Sequence, residues 1–191
     1  MPEEQVLLLS ANEKRRRDFS AGRTCARNSI KKMGLQPCPV LADTNRMPLW
    51  PPGIRGSITH CPEYCAAAVA EQSLYTSIGI DAERHREMDD RLLNYISLPE
   101  EQHHLATLPQ DLNWRLLLFS AKESVYKFFY PFQLRRLRFQ DVLISFEPDA
   151  GSFQAQLVPQ SEDNDKQILR YHGKFLVTGD LYLTAVWQMA K

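Results

Sequence analysis

Apolar and polar residues recur with two different spacings along the chain, and these spacings predict its elements. Residues 11–33 show helical spacing, with Asn12 as the predicted N-cap and Gly34 as the stop. Shorter apolar or alternating runs, bounded by turn residues, predict β-strands. The predicted strands are residues 56–61, 66–70, 76–83, 137–146, 152–158, 175–178 and 181–187.

A second predicted helix carries charged residues between bulky apolar ones. It covers residues 116–130, and Pro131 is predicted to end it because proline cannot donate a backbone hydrogen bond. Glu123 and Lys127 are four residues apart, so they project from one helix face about a turn apart. A surface ion pair is the simplest interpretation. The apolar flanks instead favour a half-buried helix, where such a pair needs a third partner such as a metal ion or a phosphate.

The segments between these elements are polar or rich in proline. Residues 36–53 form a proline-rich loop, and rigid loops of this kind often form the wall of a binding site. Residues 84–111 are predicted to form a polar connection in which a helix begins at Pro99. Residues 160–166 are predicted to form an exposed polar loop. The order helix, strands, helix, strands predicts an α+β fold of two similar halves, which we place at residues 1–110 and 111–191.

Composition narrows the classes of protein to consider. Lys and Arg together number 23, as do Asp and Glu, so no net charge favours binding to nucleic acid or to a membrane. No apolar run reaches transmembrane length, and the first residues lack a signal-peptide pattern. The four cysteines are too few and too irregularly spaced for a disulfide framework or a zinc site. We therefore expect a cytoplasmic protein.

Two carboxylates lie side by side on the third predicted strand. Asp81 and Glu83 are two residues apart, so they project to the same side of that strand. Neighbouring carboxylates repel each other unless they are protonated or neutralised, and a divalent cation commonly neutralises them. An exposed strand end is the alternative. Glu123 offers a third carboxylate, and an all-oxygen donor set favours Mg²⁺ or Mn²⁺ over Zn²⁺.

The first predicted helix carries a column of arginines. Arg15 and Arg23 are eight residues apart and Arg27 is four further on, so they share one face. A solvated basic face is one interpretation. The other is an anion site for a ligand with several phosphates, because guanidinium groups bind phosphate in a bidentate way.

These stretches together resemble the 4′-phosphopantetheinyl transferases of the Sfp/EntD type, which activate polyketide and nonribosomal peptide synthases. The matching motifs are GSITHC at residues 56–61, SIGIDAE at 77–83 and FSAKESVYK at 119–127, with the arginine helix and PLWP at 48–51 in support. The resemblance implies a fold of two similar α/β halves, with antiparallel sheets each packed against a long helix. It also implies transfer of the phosphopantetheine arm of coenzyme A to a serine of an apo carrier protein, with release of adenosine 3′,5′-bisphosphate.

The resemblance further implies roles for individual residues. Glu123 and Lys127 would be catalytic, Glu123 as the base and Lys127 as the group that neutralises the attacked phosphate. The metal ion, Mg²⁺ or Mn²⁺, would be bound by Asp81, the Ala82 carbonyl, Glu83 and Glu123. Coenzyme A would contact Arg15, Arg23, Arg46, Thr59, His60, Asp81, Lys122, Glu123 and Lys127.

The implied protein substrates are apo acyl or peptidyl carrier proteins, with the enzyme acting as a monomer. Apolar residues in segments 92–98 and 128–132 are either a carrier-docking surface or core. Two other functions stay open at this point: a different Mg²⁺-dependent phosphoester-cleaving enzyme with the same carboxylates, and a basic-helix module that binds nucleic acid.

Overall fold

The computed structural model describes residues 1–133, 137–158 and 169–190, and it confirms the α+β class. Within these residues the α-helices are α1 (Pro2–Gln5), α2 (Glu13–Lys32), α3 (Asp90–Ile96), α4 (Pro99–Thr107) and α5 (Trp114–Gln133). The strands are β1 (Leu41–Ala42), β2 (Pro48–Leu49), β3 (Ile54–Cys61), β4 (Tyr64–Glu71), β5 (Tyr75–Arg84), β6 (Val142–Glu147), β7 (Ser152–Leu157), β8 (Arg170–Thr178) and β9 (Leu181–Met189). None of the helices in these ranges is long and apolar enough to cross a membrane.

The first half packs the arginine helix against a hairpin. Strands β3 and β4 pair antiparallel, from Ile54 opposite Glu71 to Cys61 opposite Tyr64, and α2 lies across them. The Asn12 side chain accepts a hydrogen bond from the Arg15 backbone at 2.8 Å, which confirms the predicted N-cap. Burial of Ala26 and Ile30 against Val40 joins this helix to the proline-rich segment.

The second half is built on a five-stranded antiparallel sheet with the order β5-β9-β8-β7-β6. Helix α5 packs on β5 and β9, and its residues Leu116, Leu117, Leu118, Val125 and Phe128 are fully or almost fully buried there. Each half therefore has a 20-residue helix on an antiparallel sheet, although the first sheet has two strands and the second has five. The division at residue 110 stays a prediction; β5 is hydrogen-bonded to β9, so the larger sheet includes a strand that precedes this position.

Side-chain hydroxyls join the two halves. Strands β3 and β5 run side by side in the same direction, without a backbone ladder between them. The Ser57 hydroxyl accepts a hydrogen bond from the Ile80 backbone at 3.1 Å, and the Thr59 hydroxyl accepts one from the Ala82 backbone at 3.0 Å. This hydroxyl seam, formed by Ser57 and Thr59, places the Gly56–Cys61 motif next to the two carboxylates of β5.

Several predicted boundaries were wrong. Helix α5 continues past Pro131 to Gln133, because a proline in the last turn removes only one backbone hydrogen bond. The proline-rich loop contains the β1–β2 hairpin, and the polar connection contains α3 and α4. Residues 139–141 form a 3₁₀ turn, so the strand predicted from residue 137 begins at Val142. The predicted loop at 160–166 lies outside the described residues.

The two apolar segments considered for carrier docking are mostly core. Phe128, Phe129 and Tyr130 are buried, as are Leu93 and Ile96. In segment 92–98 the exposed aromatic residue among those described is Tyr95, at 66%. The Phe132 side chain lies outside the described part of the chain. Core packing is therefore the main role of both segments.

Gly79 allows β5 to approach α5 closely, and we expect Gly79→Ala to be strongly destabilising. A Cβ atom there would overlap the Ser124 carbonyl oxygen and lie 2.6 Å from the Phe128 backbone nitrogen. Neither group can move without shifting the helix, so the loss should be about 3 kcal/mol or more. The free energy of unfolding in urea measures the loss. A loss below about 1 kcal/mol at Gly79 would contradict this contact.

Candidate active site

Asp81 is the centre of the charged cluster between the halves. It is only 6% exposed, and its Oδ1 atom accepts hydrogen bonds from Lys127 Nζ at 2.6 Å and from the Thr59 hydroxyl at 3.2 Å. Lys127 also donates to the Ile80 carbonyl at 3.2 Å. The second carboxylate oxygen, Oδ2, is buried without a hydrogen-bond partner in the described part of the chain. A buried carboxylate oxygen left unpaired is costly and marks a position where a cation can bind.

The two glutamates beside Asp81 have perturbed pKa values. Burial raises the pKa of Glu123; the Lys127 charge opposes this shift, and the Asp81 charge adds to it. Burial also raises the pKa of Glu83, again with a contribution from Asp81, while Arg86 and Lys127 oppose it. Because Asp81 acts on both, the three carboxylates lie close enough to interact. Glu123 accepts no hydrogen bond from any described residue, so its carboxylate is available for a proton or a cation.

The structure brings the predicted metal ligands together only in part. In residues 1–133, 137–158 and 169–190 no three His, Cys, Asp or Glu side chains are arranged to hold a metal ion, and the Lys127 ammonium lies against Asp81. The Ala82 N–H points towards β3, and the carbonyl of a strand residue lies on the same edge as its N–H, so the Ala82 carbonyl also faces the hydroxyl seam. The unpaired Asp81 oxygen and the all-oxygen donor set fit a hard divalent cation.

A cavity of about 430 Å³ opens beside this cluster. Helix α2, the segment before β3, β3 itself, the start of β5 and the end of α5 all line it. Five of the residues predicted to contact coenzyme A line it: Arg15, Arg23, Arg46, His60 and Lys127. Among the described residues that line it, Asp18 is the only carboxylate, so the cavity is strongly positive and suits a ligand with several phosphates.

Arg23 lies in this cavity, and two of its five N–H donors are used within the protein. Its Nε donates to the Val40 carbonyl at 2.6 Å and one Nη to the Leu41 carbonyl at 3.2 Å, and its guanidinium stacks 4.3 Å from the centre of the Phe19 ring. Burial, opposed by Glu4, lowers the pKa of Arg23 to about 10. Arg23 therefore fixes the proline-rich wall to α2 as well as adding charge to the cavity.

The other predicted cationic residues are more accessible. No described carboxylate pairs with Arg15 or Arg46, and Arg46 is presented by a tight turn at a φ of +69°. The His60 ring is about half exposed, and its Nε2 lies 3.8 Å from an Asp18 carboxylate oxygen. These three side chains are free to meet an anionic ligand.

Four of the residues predicted to contact coenzyme A do not line this cavity: Thr59, Asp81, Lys122 and Glu123. Lys122 is 3% exposed, and its ammonium donates to Glu101 and to the carbonyls of Ile96, Phe139 and Val142 at 2.7–2.9 Å. All its protons are used in this way, so the prediction that it binds coenzyme A is wrong in this arrangement. Thr59 is also buried, with its hydroxyl used by Asp81 and Ala82.

Sequence reasoning missed several residues that line the cavity. Arg55, Ser77, Tyr126 and Tyr130 belong to it, whereas Trp50 lies in the proline-rich wall that the sequence predicted. Tyr126 also lines a second cavity of about 150 Å³ that contains Glu123, so the two cavities share a wall. Alternation along β3 was a usable signal for Arg55, because it lies two and four residues before Ser57 and Thr59 on the same strand face.

The cysteines take no part in this chemistry. Burial raises the pKa of Cys65 to about 12, with a further contribution from its contact with Cys25, and burial and Glu83 raise the pKa of Cys61. Thiols with raised pKa values stay protonated and are poor metal ligands. All four cysteines are free, as the sequence predicted.

Two family models match most of the chain. The 4′-phosphopantetheinyl transferase N-terminal domain matches residues 3–70, and the 4′-phosphopantetheinyl transferase superfamily matches residues 77–186. The matches include the arginine helix, both carboxylates of β5 and the charged segment of α5.

Characterised relatives are similar over nearly the whole chain. The 4′-phosphopantetheinyl transferase Npt of Nocardia iowensis is 38% identical over 97% of this chain and 87% of its own length. The transferase Svp of Streptomyces mobaraensis is 39% identical over 97% of this chain and 77% of its own length. The transferase PptT of Mycobacterium tuberculosis is 37% identical over 97% of this chain and 85% of its own length. The chain therefore belongs to the 4′-phosphopantetheinyl transferase superfamily and is of the Sfp/EntD type.

Proposed function

We propose that this protein transfers the 4′-phosphopantetheine arm of coenzyme A to a serine hydroxyl of an apo carrier protein. The observation that carries the proposal is the junction between the halves. There, a carboxylate cluster with an unpaired Asp81 oxygen meets Lys127 at the edge of a cavity lined by arginines. A phosphoesterase that acts on simple substrates has no need for a positive cavity of about 430 Å³, and the family membership favours the transferase.

The proposed reaction exchanges one phosphate ester for another. The serine oxygen forms a bond with the phosphorus next to the pantetheine arm, and the bond from that phosphorus to the bridging pyrophosphate oxygen breaks. Adenosine 3′,5′-bisphosphate leaves with the electron pair. Glu123 takes the serine proton, a role that its raised pKa and its lack of a hydrogen-bond donor support. Lys127 lies on the next turn, where its ammonium can neutralise the attacked phosphate.

We propose that Asp81, Glu83, Glu123 and the Ala82 carbonyl hold a divalent cation, Mg²⁺ rather than Mn²⁺ by default, which would neutralise charge on the pyrophosphate. Arg15, Arg46 and His60 bind the phosphates of coenzyme A within the cavity. Asp81 orients Lys127 through their 2.6 Å hydrogen bond. Thr59 acts indirectly, since its hydroxyl positions Asp81.

The proposed partners are apo acyl and peptidyl carrier proteins, with the enzyme acting as a monomer. One chain supplies both the arginine helix and the charged segment of α5, so a second copy is not needed to complete the site.

A mass assay tests this function directly. The purified protein is incubated with coenzyme A, Mg²⁺ and a panel of apo acyl and peptidyl carrier proteins, and each carrier should gain the mass of one phosphopantetheine group. The same carriers with the acceptor serine changed to alanine should gain none. Hydrolysis of coenzyme A in the absence of any carrier, or no gain across the whole panel by the folded protein, would refute the proposal.

Mg²⁺ should stabilise the protein more at about pH 7.5 than at about pH 5. The pKa values of Glu83 and Glu123 are raised, so these groups reduce the stability of the metal-free protein as pH rises through their folded pKa values. The pKa values are raised first by burial and then by the Asp81 charge, and a bound Mg²⁺ would offset both effects, while protons compete with it at lower pH. Thermal unfolding with and without Mg²⁺ measures the shift. Asp81→Asn should abolish it and Glu147→Gln, on the exposed end of β6, should not; an equal shift at both pH values would exclude this carboxylate site.

A further inference from the structure

Two free cysteines meet where α2 packs against the hairpin of β3 and β4. The Cys25 thiol donates to the backbone carbonyl of Cys65 at 3.5 Å, and the two thiols are themselves in hydrogen-bond contact. Both residues are half-buried, and neither lines the main cavity. The proposed transfer reaction uses neither thiol, so their contact needs a separate explanation.

The packing of α2 on β4 fixes this contact from both sides. One helix turn before Cys25, Gly22 has no side chain, and a Cβ atom there would lie 4.0 Å from the Cys65 sulfur. One turn after Cys25, the Ser29 hydroxyl donates to the Ala67 carbonyl at 2.9 Å. Gly22, Cys25 and Ser29 share one helix face because they are three and four residues apart. The cysteine pair therefore lies in the middle of a helix–strand contact that is held at both ends.

The two thiols are placed for a bond that leaves the backbone where it is. A disulfide bond is about 2.05 Å long and joins Cβ atoms about 3.5–4.5 Å apart, so thiols that already touch need a rotation of their side chains rather than a movement of the helix. Cys61 does not compete for Cys65. Cys65 pairs with His60 across the hairpin, and side chains alternate along β3, so Cys61 projects from the opposite face.

From these positions we infer that Cys25 and Cys65 are a site of reversible oxidation, at which a low-molecular-weight disulfide such as oxidised glutathione links α2 to β4. The Cys25 thiolate attacks one sulfur of the small disulfide, and the first small thiol leaves with the electron pair of the broken bond. The Cys65 thiolate then attacks the Cys25 sulfur and releases the second small thiol. Two cysteine thiols are oxidised and one small disulfide is reduced to two thiols, which take up the two cysteine protons.

The surroundings of Cys65 set the order of the two steps. Burial, and then the contact with Cys25, raises the pKa of Cys65 to about 12, so its thiolate is scarce at neutral pH. Cys65 therefore reacts second, when the mixed disulfide on Cys25 already lies against it. A thiol of high pKa is also a poor leaving group, so a reductant that attacks the Cys25 sulfur breaks the finished bond slowly. The cross-link is thus slow to form and slow to break.

Oxidation joins two elements that both line the main cavity. Helix α2 carries Arg15, and β3 carries His60 directly across the hairpin from Cys65. The bond therefore fixes α2 against the hairpin beside the cavity without occupying it. It also closes a loop of about 40 residues in the unfolded chain, which stabilises the folded state relative to the unfolded one.

Mass measurement and thermal unfolding of the full chain test this site. Wild-type protein is incubated with oxidised glutathione, and the free glutathione is then removed. We expect the intact mass to fall by two hydrogen atoms with no glutathione retained, and a digest under non-reducing conditions to contain a peptide that links Cys25 to Cys65. The Tm should rise by about 5–10 °C relative to the reduced protein, and dithiothreitol should reverse the rise.

Single substitutions identify the residues, each variant being compared with its own reduced form so that a change in basal stability does not matter. Cys25→Ser and Cys65→Ser should each lose the cross-link and the rise in Tm, and Cys65→Ser should retain one glutathione on Cys25. Cys38→Ser and Cys61→Ser, which leave the pair intact, are the matched controls and should behave as wild type.

Three results would overturn the inference. The first is an unchanged mass, or glutathione retained on wild-type protein without the cross-link. The second is a linked peptide that contains Cys38 or Cys61. The third is a cross-link between Cys25 and Cys65 that fails to raise the Tm, because the two thiols would then meet only in a distorted chain.

This inference goes beyond the proposed function, and the two fail separately. Mass and Tm are measured without coenzyme A or a carrier protein. If the reduced protein modifies carriers and forms no cross-link, the transferase stands and the oxidation site fails. If the cross-link forms as described and no carrier is modified, the oxidation site stands and the transferase fails.

Discussion

Glu123→Gln should lower the rate of phosphopantetheine transfer by at least about 100-fold while coenzyme A still binds. The amide cannot take the serine proton, and as a neutral group it is a weaker ligand for a hard cation. The arginine-lined cavity is untouched by the change, so the Kd for coenzyme A should rise only slightly. Carrier mass gain under saturating coenzyme A measures the rate, and calorimetric titration measures binding.

Two comparisons separate a catalytic role of Glu123 from a structural one. Glu147→Gln, which removes an exposed carboxylate at the end of β6, should transfer at the wild-type rate. Thermal unfolding without Mg²⁺ should show Glu123→Gln to be at least as stable as wild type at neutral pH, since burial already raises the pKa of that carboxyl. Near-normal turnover by Glu123→Gln would show that another group accepts the proton.

Lys122→Met should destabilise the folded protein by about 3–5 kcal/mol, the usual result of removing one partner from a buried ion pair. Burial raises the pKa of Glu101 and lowers that of Lys122, and their mutual attraction opposes both shifts. Without the ammonium, the buried Glu101 carboxylate and the carbonyls of Ile96, Phe139 and Val142 lose their shared donor. The free energy of unfolding in urea measures the loss.

The second partner provides the control for Lys122. In the double variant Lys122→Met with Glu101→Gln no buried charge is left unpaired, so part of the lost stability should return. Lys174→Met, which removes an exposed lysine on β8, should change stability by less than about 0.5 kcal/mol. A loss below about 1 kcal/mol for Lys122→Met alone would mean that the ammonium is not held as described.

The sequence was a good guide to the elements and to the motifs. Features that depend on local spacing were predicted correctly, because a single sequence records that spacing. They are the Asn12 cap, the strand that carries Asp81 and Glu83, and the helix that carries Glu123 and Lys127. The family resemblance was confirmed on the same motifs. The strand start at residue 142 and the end of α5 depend on packing and on one lost hydrogen bond, which local patterns do not reveal.

What the sequence could not show was how each charge is used. Lys122 and Lys127 are five residues apart on one helix, yet Lys122 is enclosed by α4 and β6 whereas Lys127 reaches β5. Arg23 and Arg55 both line the cavity, yet Arg23 is tied to the carbonyls of Val40 and Leu41 and Arg55 to that of Thr76. The partners of each charged side chain depend on which distant segments of the chain pack together. The spacing of residues along the chain does not indicate which segments these are.

The hydroxyl seam explains why a cleft exists at this position. A backbone ladder would bring two strands to about 4.8 Å and use the polar groups that face each other across the gap. Ser57 and Thr59 act as spacers instead, so β3 and β5 stay apart and the seam-facing carbonyls of β5 are not consumed by pairing. The candidate site thus lies at an interruption in the β-structure, where two hydroxyl groups bridge β3 and β5 in place of a backbone ladder.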